Sequence, residues 1–290
     1  MEDVEGLQED LNRVYEWANN NGMEFNSDKF EIMRFGKMDE IKDRSCYKTP
    51  TGEIIQEKNN LRDLGIIMSN DMKFDEHIES MVAKANQLTG WILRSFKTRE
   101  PEAMMLLYKQ LVRSKLEYCC PLWSPNEEEL KQRIETVQRR FTRKIQGLSG
   151  ENRPDYWERL RILNMYSLER RRERYNIMYT IKAINELVPN PGFVVKENER
   201  TGPKIKVPLI KSGSGIQTVK MKERSLLVQG PKLFNILPKD IRCECSNVSM
   251  ETFKHMLDEY LHRIPDQPTV SGLSRAAPTN SLIDQVTYCT

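Results

Sequence analysis

The chain has 290 residues, 38% of them apolar and 30% charged, with a formal net charge of +3. That length suits one large or two modest domains, and that apolar share supports a core on the polar side of the soluble range. No apolar run approaches the ~18 residues that span a bilayer, so no membrane association is expected, and six cysteines without a CxxC pair or a signal peptide predict reduced thiols in the cytoplasm or nucleus.

Charge is uneven along the chain. Residues 1–30 hold eight acids against two bases, and residues 131–174 hold 13 Lys+Arg against six Asp+Glu. A basic middle predicts a polyanionic partner, attracted without regard to its sequence.

A first helix is predicted over Glu2–Asn20, from Leu7, Leu11, Val14 and Ala18 at helical spacing with Trp17 beside them. Its early acids suit the positive end of the helix dipole, and Asn19-Asn20-Asn21-Gly22 ends it. A strand follows, with Phe30, Ile32 and Arg34 on one face and Glu31, Met33 and Phe35 on the other. Thr49-Pro50-Thr51-Gly52 is the hairpin turn between two extended runs, and Leu64–Met68 is a short apolar strand bounded by Asp63 and Ser69. Together these predict a small antiparallel β-unit. Asp71, Asp75 and Glu76 resemble a carboxylate cluster, but Asp75 sits where an N-cap belongs. The second helix then carries Ile78, Met81, Val82, Ala85, Leu88, Trp91 and Ile92, and ends near Phe96.

Thr98 and Pro101 open a third helix with a Met104, Leu107, Leu111 and Leu116 stripe. The segment LEYCCPLWSP is then a loop, with Tyr118 and Trp123 read as core. Asn126 and Glu129 form a capping-box pattern for a fourth helix with Ile134, Val137, Phe141 and Ile145 buried. Arg133, Arg139, Arg140, Arg143 and Lys144 fall largely off that stripe and suit contact with phosphates. A short helix over Arg153–Ile162 precedes a long one beginning at Ser167, whose Arg170, Arg171, Arg172 and Arg174 form a second basic cluster. Such a run also resembles a nuclear localisation signal, though here it lies inside a helix.

Pro189–Ser214 has the texture of a linker or an extended loop. SLLVQGPKLFNILPKDIR reads as a strand-like run, a turn and a short helix, and Ser249–Arg263 as an amphipathic helix. From Pro265 the Ser/Thr/Pro-rich tail predicts disorder. Cys243, Cys245, His255 and His262 lack the spacing of a standard zinc site, so no metal is expected. The fold class is α+β, mainly α, in four parts: 1–70, 71–188, 189–264 and the tail 265–290.

Four stretches, in order, carry a family likeness. NSDKFEIMRFG, with Asn26 and Lys29, resembles the segment after the catalytic hairpin (motif D) of a reverse transcriptase palm. LRDLGIIMS, with Leu64 and Gly65, resembles the primer-grip strand, and LEYCCPLW the thumb signature. Gly230, Phe234, Asn235, Leu237 and Pro238 match a Phe/Trp-Asn-x-Leu-Pro signature that follows a glycine. The chain is similar to the C-terminal part of a non-LTR (LINE-type, jockey-like) retrotransposon reverse transcriptase: end of palm, thumb and the region beyond.

That resemblance implies an RNA-directed DNA polymerase ancestry. The family's catalytic aspartates lie in a Tyr-x-Asp-Asp hairpin just before the first helix, and no Asp-Asp pair occurs in this sequence. The chain is therefore expected to begin downstream of the active site and to be inactive alone, since two-metal phosphoryl transfer needs a carboxylate pair. Magnesium is implied for the intact polymerase only. Lys29 would serve as a general acid only in that full-length context. The resemblance and the basic clusters together nominate Lys29, Leu64, Gly65, Arg133, Arg139, Arg140, Arg143, Lys144, Arg170, Arg171 and Arg174 as contacts for RNA or an RNA–DNA hybrid. A co-opted protein-interaction module and an expressed remnant without function are the competing expectations.

Overall fold

Residues 2–26, 29–35, 46–210, 216–268 and 280–289 are described in a computed structural model. They are mainly helical, with three two-stranded sheets, so the fold is α+β with α dominant. The chain divides into two units, Met1–His77 and Ile78–Thr290.

In the first unit, α1 (Glu2–Asn20) ends as its sequence predicts. Gly22 takes a φ of 67°, and Met23 N–H returns to Ala18 O at 2.9 Å, a glycine C-cap. Its contact face is rotated from the predicted stripe: Leu7, Val14 and Trp17 are exposed. Gln8, Tyr15 and Ala18 make the packing instead. Tyr15 stacks on Phe30 at 5.2 Å and meets Phe25 edge-on at 5.1 Å. Gln8 exchanges two hydrogen bonds with the Lys48 backbone, at 2.8 and 2.9 Å.

The Thr49–Gly52 turn forms, with Gly52 at a φ of 85° and its N–H on Thr49 O at 2.9 Å. The strand expected from Phe30 to Phe35 is shorter: β1 spans Glu31–Ile32 and pairs in parallel with β2 (Gln56–Glu57), so this one pair departs from the antiparallel expectation. Two ion pairs, Arg34–Glu57 at 2.9 Å and Lys58–Glu31, flank this minimal ladder.

β3 (Asn60–Asp63) and β4 (Ile66–Ser69) form an antiparallel hairpin. Leu64 lies in its two-residue turn with Gly65, not in the strand, and their φ values are 46° and 88°. Left-handed backbone at both turn positions favours Asn-Gly or Gly-Gly, so a leucine there is strained, and its side chain is 83% exposed. The Asp71 and Glu76 carboxylates shape the local chain. Asp71 accepts from Ser69 Oγ at 2.6 Å, and Glu76 accepts from Asn60 Nδ2 at 2.6 Å.

The division between the units falls inside α2 (Asp75–Ser95), which buries Ile78, Met81, Ala85 and Ile92 and leaves Trp91 exposed. α3 (Pro101–Leu107) continues as a π-helix over Tyr108–Arg113 and then α4 (Ser114–Glu117). The wide π turns move the buried stripe to Met104, Tyr108, Val112 and Leu116, every fourth residue, so the predicted Leu107 and Leu111 are only half-buried. α5 (Cys120–Trp123) follows. Trp123 is core, with Nε1 donating to Tyr118 O at 2.7 Å, whereas Tyr118, expected in the core, is exposed.

α6 (Glu128–Thr142) starts after Glu127, so the Asn126 capping box does not form, and Glu129 pairs with Arg133 instead. α7 (Tyr156–Ile162) and α8 (Leu168–Ile184) begin at Asp155 and Ser167, whose side chains accept from the N–H three residues on. Beyond α8, the described part of the expected linker or extended loop holds packed structure: β5 (Val195–Lys196) pairs with β6 (Lys204–Ile205), and Phe193 and Ile205 are buried; residues 211–214 lie outside the described residues. α9 (Ile216–Arg224), α10 (Leu226–Asn235), α11 (Lys239–Glu244), α12 (Met250–His262) and α13 (Leu282–Cys289) complete the unit. The disordered tail is corrected for residues 280–289, because Leu282 is fully buried in the core shared by α8, α10 and α12. Residues 265–268 are also described, with Pro265 O accepting from Arg170 and the Asp266 carboxylate from Ser167; the rest of that expectation, 269–279 and 290, lies outside the described residues.

The expected strand at SLLVQG is the start of α10, and close packing against α8 explains it. A Cβ on Gly230 would stand 2.4 Å from Thr180 Oγ1 and 3.2 Å from Phe193. Only glycine lets α10 approach α8 this closely. Asn235 then mimics a paired strand, donating to Ile205 O at 2.8 Å and accepting from Ile205 N–H at 2.9 Å. Leu237 and Phe234 fill the core beneath. Each residue of that signature except Pro238 thus has a packing role, and Pro238 is the N-cap of α11.

Two stability changes follow. Gly230→Ala should destabilise the chain by about 1–3 kcal/mol, and adding Thr180→Ala should recover much of it; urea unfolding of the three proteins checks this. Leu64→Asn should slow amide exchange across Ile66–Ser69, because asparagine tolerates the left-handed turn.

Candidate nucleic-acid interface

The predicted stripe of α6 and its end is buried throughout: Ile134, Val137, Phe141 and Ile145. Beside it, and unanticipated, runs a buried polar line, Glu135, Gln138 and Thr142. Polar groups taken from water must find partners, and these do. Gln138 accepts from Tyr108 Oη at 2.9 Å, and its amide donates to Tyr156 Oη at 3.0 Å and Tyr166 O at 3.1 Å. Glu135 accepts from the Tyr156 hydroxyl and from Leu168 N–H at 3.0 Å. Thr142 Oγ1 accepts from Arg159 Nε at 3.1 Å, and Arg159 Nη1 donates to Pro154 O at 2.8 Å. This network fixes α6 against the π-helix, α7 and the start of α8.

Burial pushes the Glu135 carboxyl up to about 7, although the Tyr156 hydroxyl, Arg172 and Leu168 N–H act in the other direction. Burial also raises the Tyr156 and Tyr108 hydroxyls.

The outer end of α6 is where the basic residues collect. Between Arg139 and Arg153 the sequence has five bases and a single acid, Glu151. Arg140, Arg143 and Lys144 are exposed and have no ion-pair partner among the described residues. Arg139 lies over the Tyr156 ring at 4.9 Å and is half-buried. Arg143 and Arg153 both help depress the buried Arg159 guanidinium, after burial itself, so the three cations crowd one region. Gln146 N–H donates to Arg99 O at 2.8 Å, which brings the loop carrying Lys97 and Arg99 against the loop carrying Lys144. Lys97 and Arg99 were not anticipated here, since only the fold joins loops separated by some 45 residues; Arg153, near Lys144 in the sequence, was not nominated either.

The remaining nominated residues do not join this patch. Arg133 pairs with Glu79 at 2.7 Å and Glu129 at 2.8 Å, so its charge is answered. Lys29, Leu64 and Gly65 belong to the other unit; Lys29 is exposed. The second basic cluster is a correction. Arg170 is fully buried, with Nη2 on Pro265 O at 2.9 Å. Arg171 forks onto Glu117, and Arg174 onto Asp258, with Nη2–Oδ2 at 2.7 Å. These arginines bind helices to one another, and a phosphate backbone cannot displace bidentate, half-buried carboxylates without breaking the core. Among the described residues no group of three or more His, Cys, Asp or Glu side chains could hold a metal, and no helix is long and apolar enough to cross a membrane.

No protein-family profile and no solved structure matches the chain. It is similar to an uncharacterized protein of Caenorhabditis elegans, 25% identical over 114 residues, which is 39% of this chain. The chain spans 58% of that protein's length.

The Glu135 carboxyl sets a pH dependence. It titrates near 4.5 when the chain unfolds and near 7 when folded, so the folded state holds the proton more tightly. Its contribution is complete below ~4.5 and is lost as pH rises through ~7, by roughly 3 kcal/mol. Glu135→Gln should flatten that part of the stability–pH curve in urea titrations between pH 4.5 and 8; parallel curves would mean Glu135 is ionised throughout.

Proposed function

We propose that this chain is derived from a non-LTR retrotransposon reverse transcriptase and binds RNA or an RNA–DNA hybrid, in the nucleus or cytoplasm, without polymerase chemistry of its own. The observation that carries the reading is the unpaired basic patch at the end of α6. Arg140, Arg143 and Lys144 stand in solvent on a base fixed by the Glu135–Gln138–Tyr156 network. Exposed cations on a rigid element suit a backbone of repeating phosphates, which needs positive charge at fixed positions and no base reading. Arg139 over Tyr156 offers a flat cationic face beside them.

The order of motif-D-like, primer-grip-like, thumb-like and C-terminal signatures adds to this reading. So does the strained, exposed Leu64 at the tip of the β3–β4 hairpin, a position where stability alone would select another residue. The chemistry is excluded from the proposal on a different ground: this sequence has no adjacent aspartate pair to hold two metal ions.

The test is a filter-binding titration of the full chain with single-stranded RNA and with an RNA–DNA hybrid across a salt series. Affinity should fall steeply with salt, and Arg140→Gln/Arg143→Gln/Lys144→Gln should weaken binding about tenfold or more and reduce the salt slope by about 2. Equal affinity of the triple variant and the parent sinks the reading, and a protein partner retained by both would then favour the interaction module.

A further inference from the structure

A cavity of about 420 Å³ opens between the end of α7 and the end of α12 with the segment that follows it. Its floor is apolar, since Leu160 and Leu261 are buried there. Trp157 lines it from α7 and is half-buried, so part of its ring meets solvent. On α12, His262 is exposed and lies against the Tyr166 ring, with centroids 4.9 Å apart and planes 31° apart. Aromatic faces above an apolar floor suit a flat, unsaturated ring.

The charges at the rim narrow what that ring carries. Arg161 and Arg263 both line the cavity, both are exposed, and neither is in an ion pair among the described residues. Arg161 is steadied by Gln267, whose Oε1 accepts from Nη2 at 3.0 Å. The one acid in the lining, Asp266, is already engaged by Ser167 and Asn280. The rim is therefore positive, and the occupant it favours is a flat ring bearing an anion, as a nucleobase bears its phosphate.

The position of the cavity favours a strand over a free nucleotide. The Trp157 ring lies 4.9 Å from the Tyr156 ring, and Tyr156 is the ring beneath Arg139. Arg153 of the basic patch precedes α7, and Arg161 stands in its last turn. This helix has seven residues and is about 10 Å long. A chain of phosphates on the α6 patch thus reaches the cavity along one short helix. A base inside a duplex cannot enter, because its faces are stacked and its edge is paired.

We propose that this cavity takes one unpaired nucleobase of an RNA strand held on the α6 patch, with the base against Trp157 and its phosphate on Arg161 and Arg263. The inference rests on the RNA-binding reading above and narrows it to RNA with an unpaired segment.

The experiment titrates the full chain into a ten-nucleotide oligouridylate carrying one central 2-aminopurine, whose emission is quenched when the base stacks. Anisotropy of an end label reports binding of this strand and of an RNA duplex of the same length. The parent should quench the 2-aminopurine as it binds. Trp157→Leu should lose the quenching and weaken single-strand binding about tenfold while leaving duplex binding unchanged, and Trp157→Phe should keep most of both. Should the leucine variant not fold, quenching by the parent decides. AMP should compete for the site only at concentrations far above those of the strand; AMP binding as tightly as the strand would make this a mononucleotide site and overturn the assignment. Strand binding with unchanged 2-aminopurine emission also overturns it, and leaves the phosphate-binding reading standing. No binding of either RNA at low salt removes both.

Discussion

A guanidinium taken out of water has five donors to satisfy, and the larger unit of this chain takes in several. Arg242 caps the carbonyls of Leu237, Thr201 and Pro203, so one side chain closes the turn between β5 and β6 onto α11. Arg159 does the same for the loop before α7 through Pro154. Arg170, Arg171 and Arg174 run along α8 and reach Pro265, Glu117 and Asp258, three elements distant in sequence. Removing one partner of such a pair strands a charge and costs about 3–5 kcal/mol. The helix packing of this unit is therefore specified as much by directional charge contacts as by its apolar core.

That dependence also explains the character of the α6 surface. The helix is held on its inner side by Glu135 and Gln138, whose partners come from the π-helix, α7 and α8. Its outer cations need no partner for the fold, and none of Arg140, Arg143 and Lys144 has one among the described residues. A patch whose charges are free while its scaffold is fixed keeps a constant geometry toward any anion it meets.

What could be read from the sequence was the part governed by local rules. The α1 cap at Gly22, the turn at Gly52 and the Ile134–Val137–Phe141–Ile145 stripe each depend on a few neighbouring residues. What could not be read depended on partners far away. An arginine run on α8 and an arginine run on α6 look alike on a page, and only the distant acids Glu117 and Asp258 make one internal. SLLVQGP reads as a strand ending in a Gly-Pro turn, and it is helical because Gly230 permits contact with Thr180 some 50 residues earlier. Arg172 was visible as one more arginine; that its guanidinium is buried near the Glu135 carboxyl is a property of three-dimensional surroundings alone.

The start of α8 is completed by residues near the other end of the chain. Ser167 N–H and Oγ both donate to the Asp266 carboxylate, at 2.6 and 2.7 Å, and Asn280 donates to Ser167 Oγ at 3.0 Å and to Asp266 at 2.7 Å. On a ribosome this means that α8 emerges about a hundred residues before its N-terminal clasp exists. Until then the helix that carries the buried Arg170 and Arg172 has one end open, and the unit cannot lock. Vectorial synthesis thus delays the clasp: a nascent chain halted in α12 would present its arginines, and the apolar core beneath them, to chaperones and proteases instead of to a packed interior.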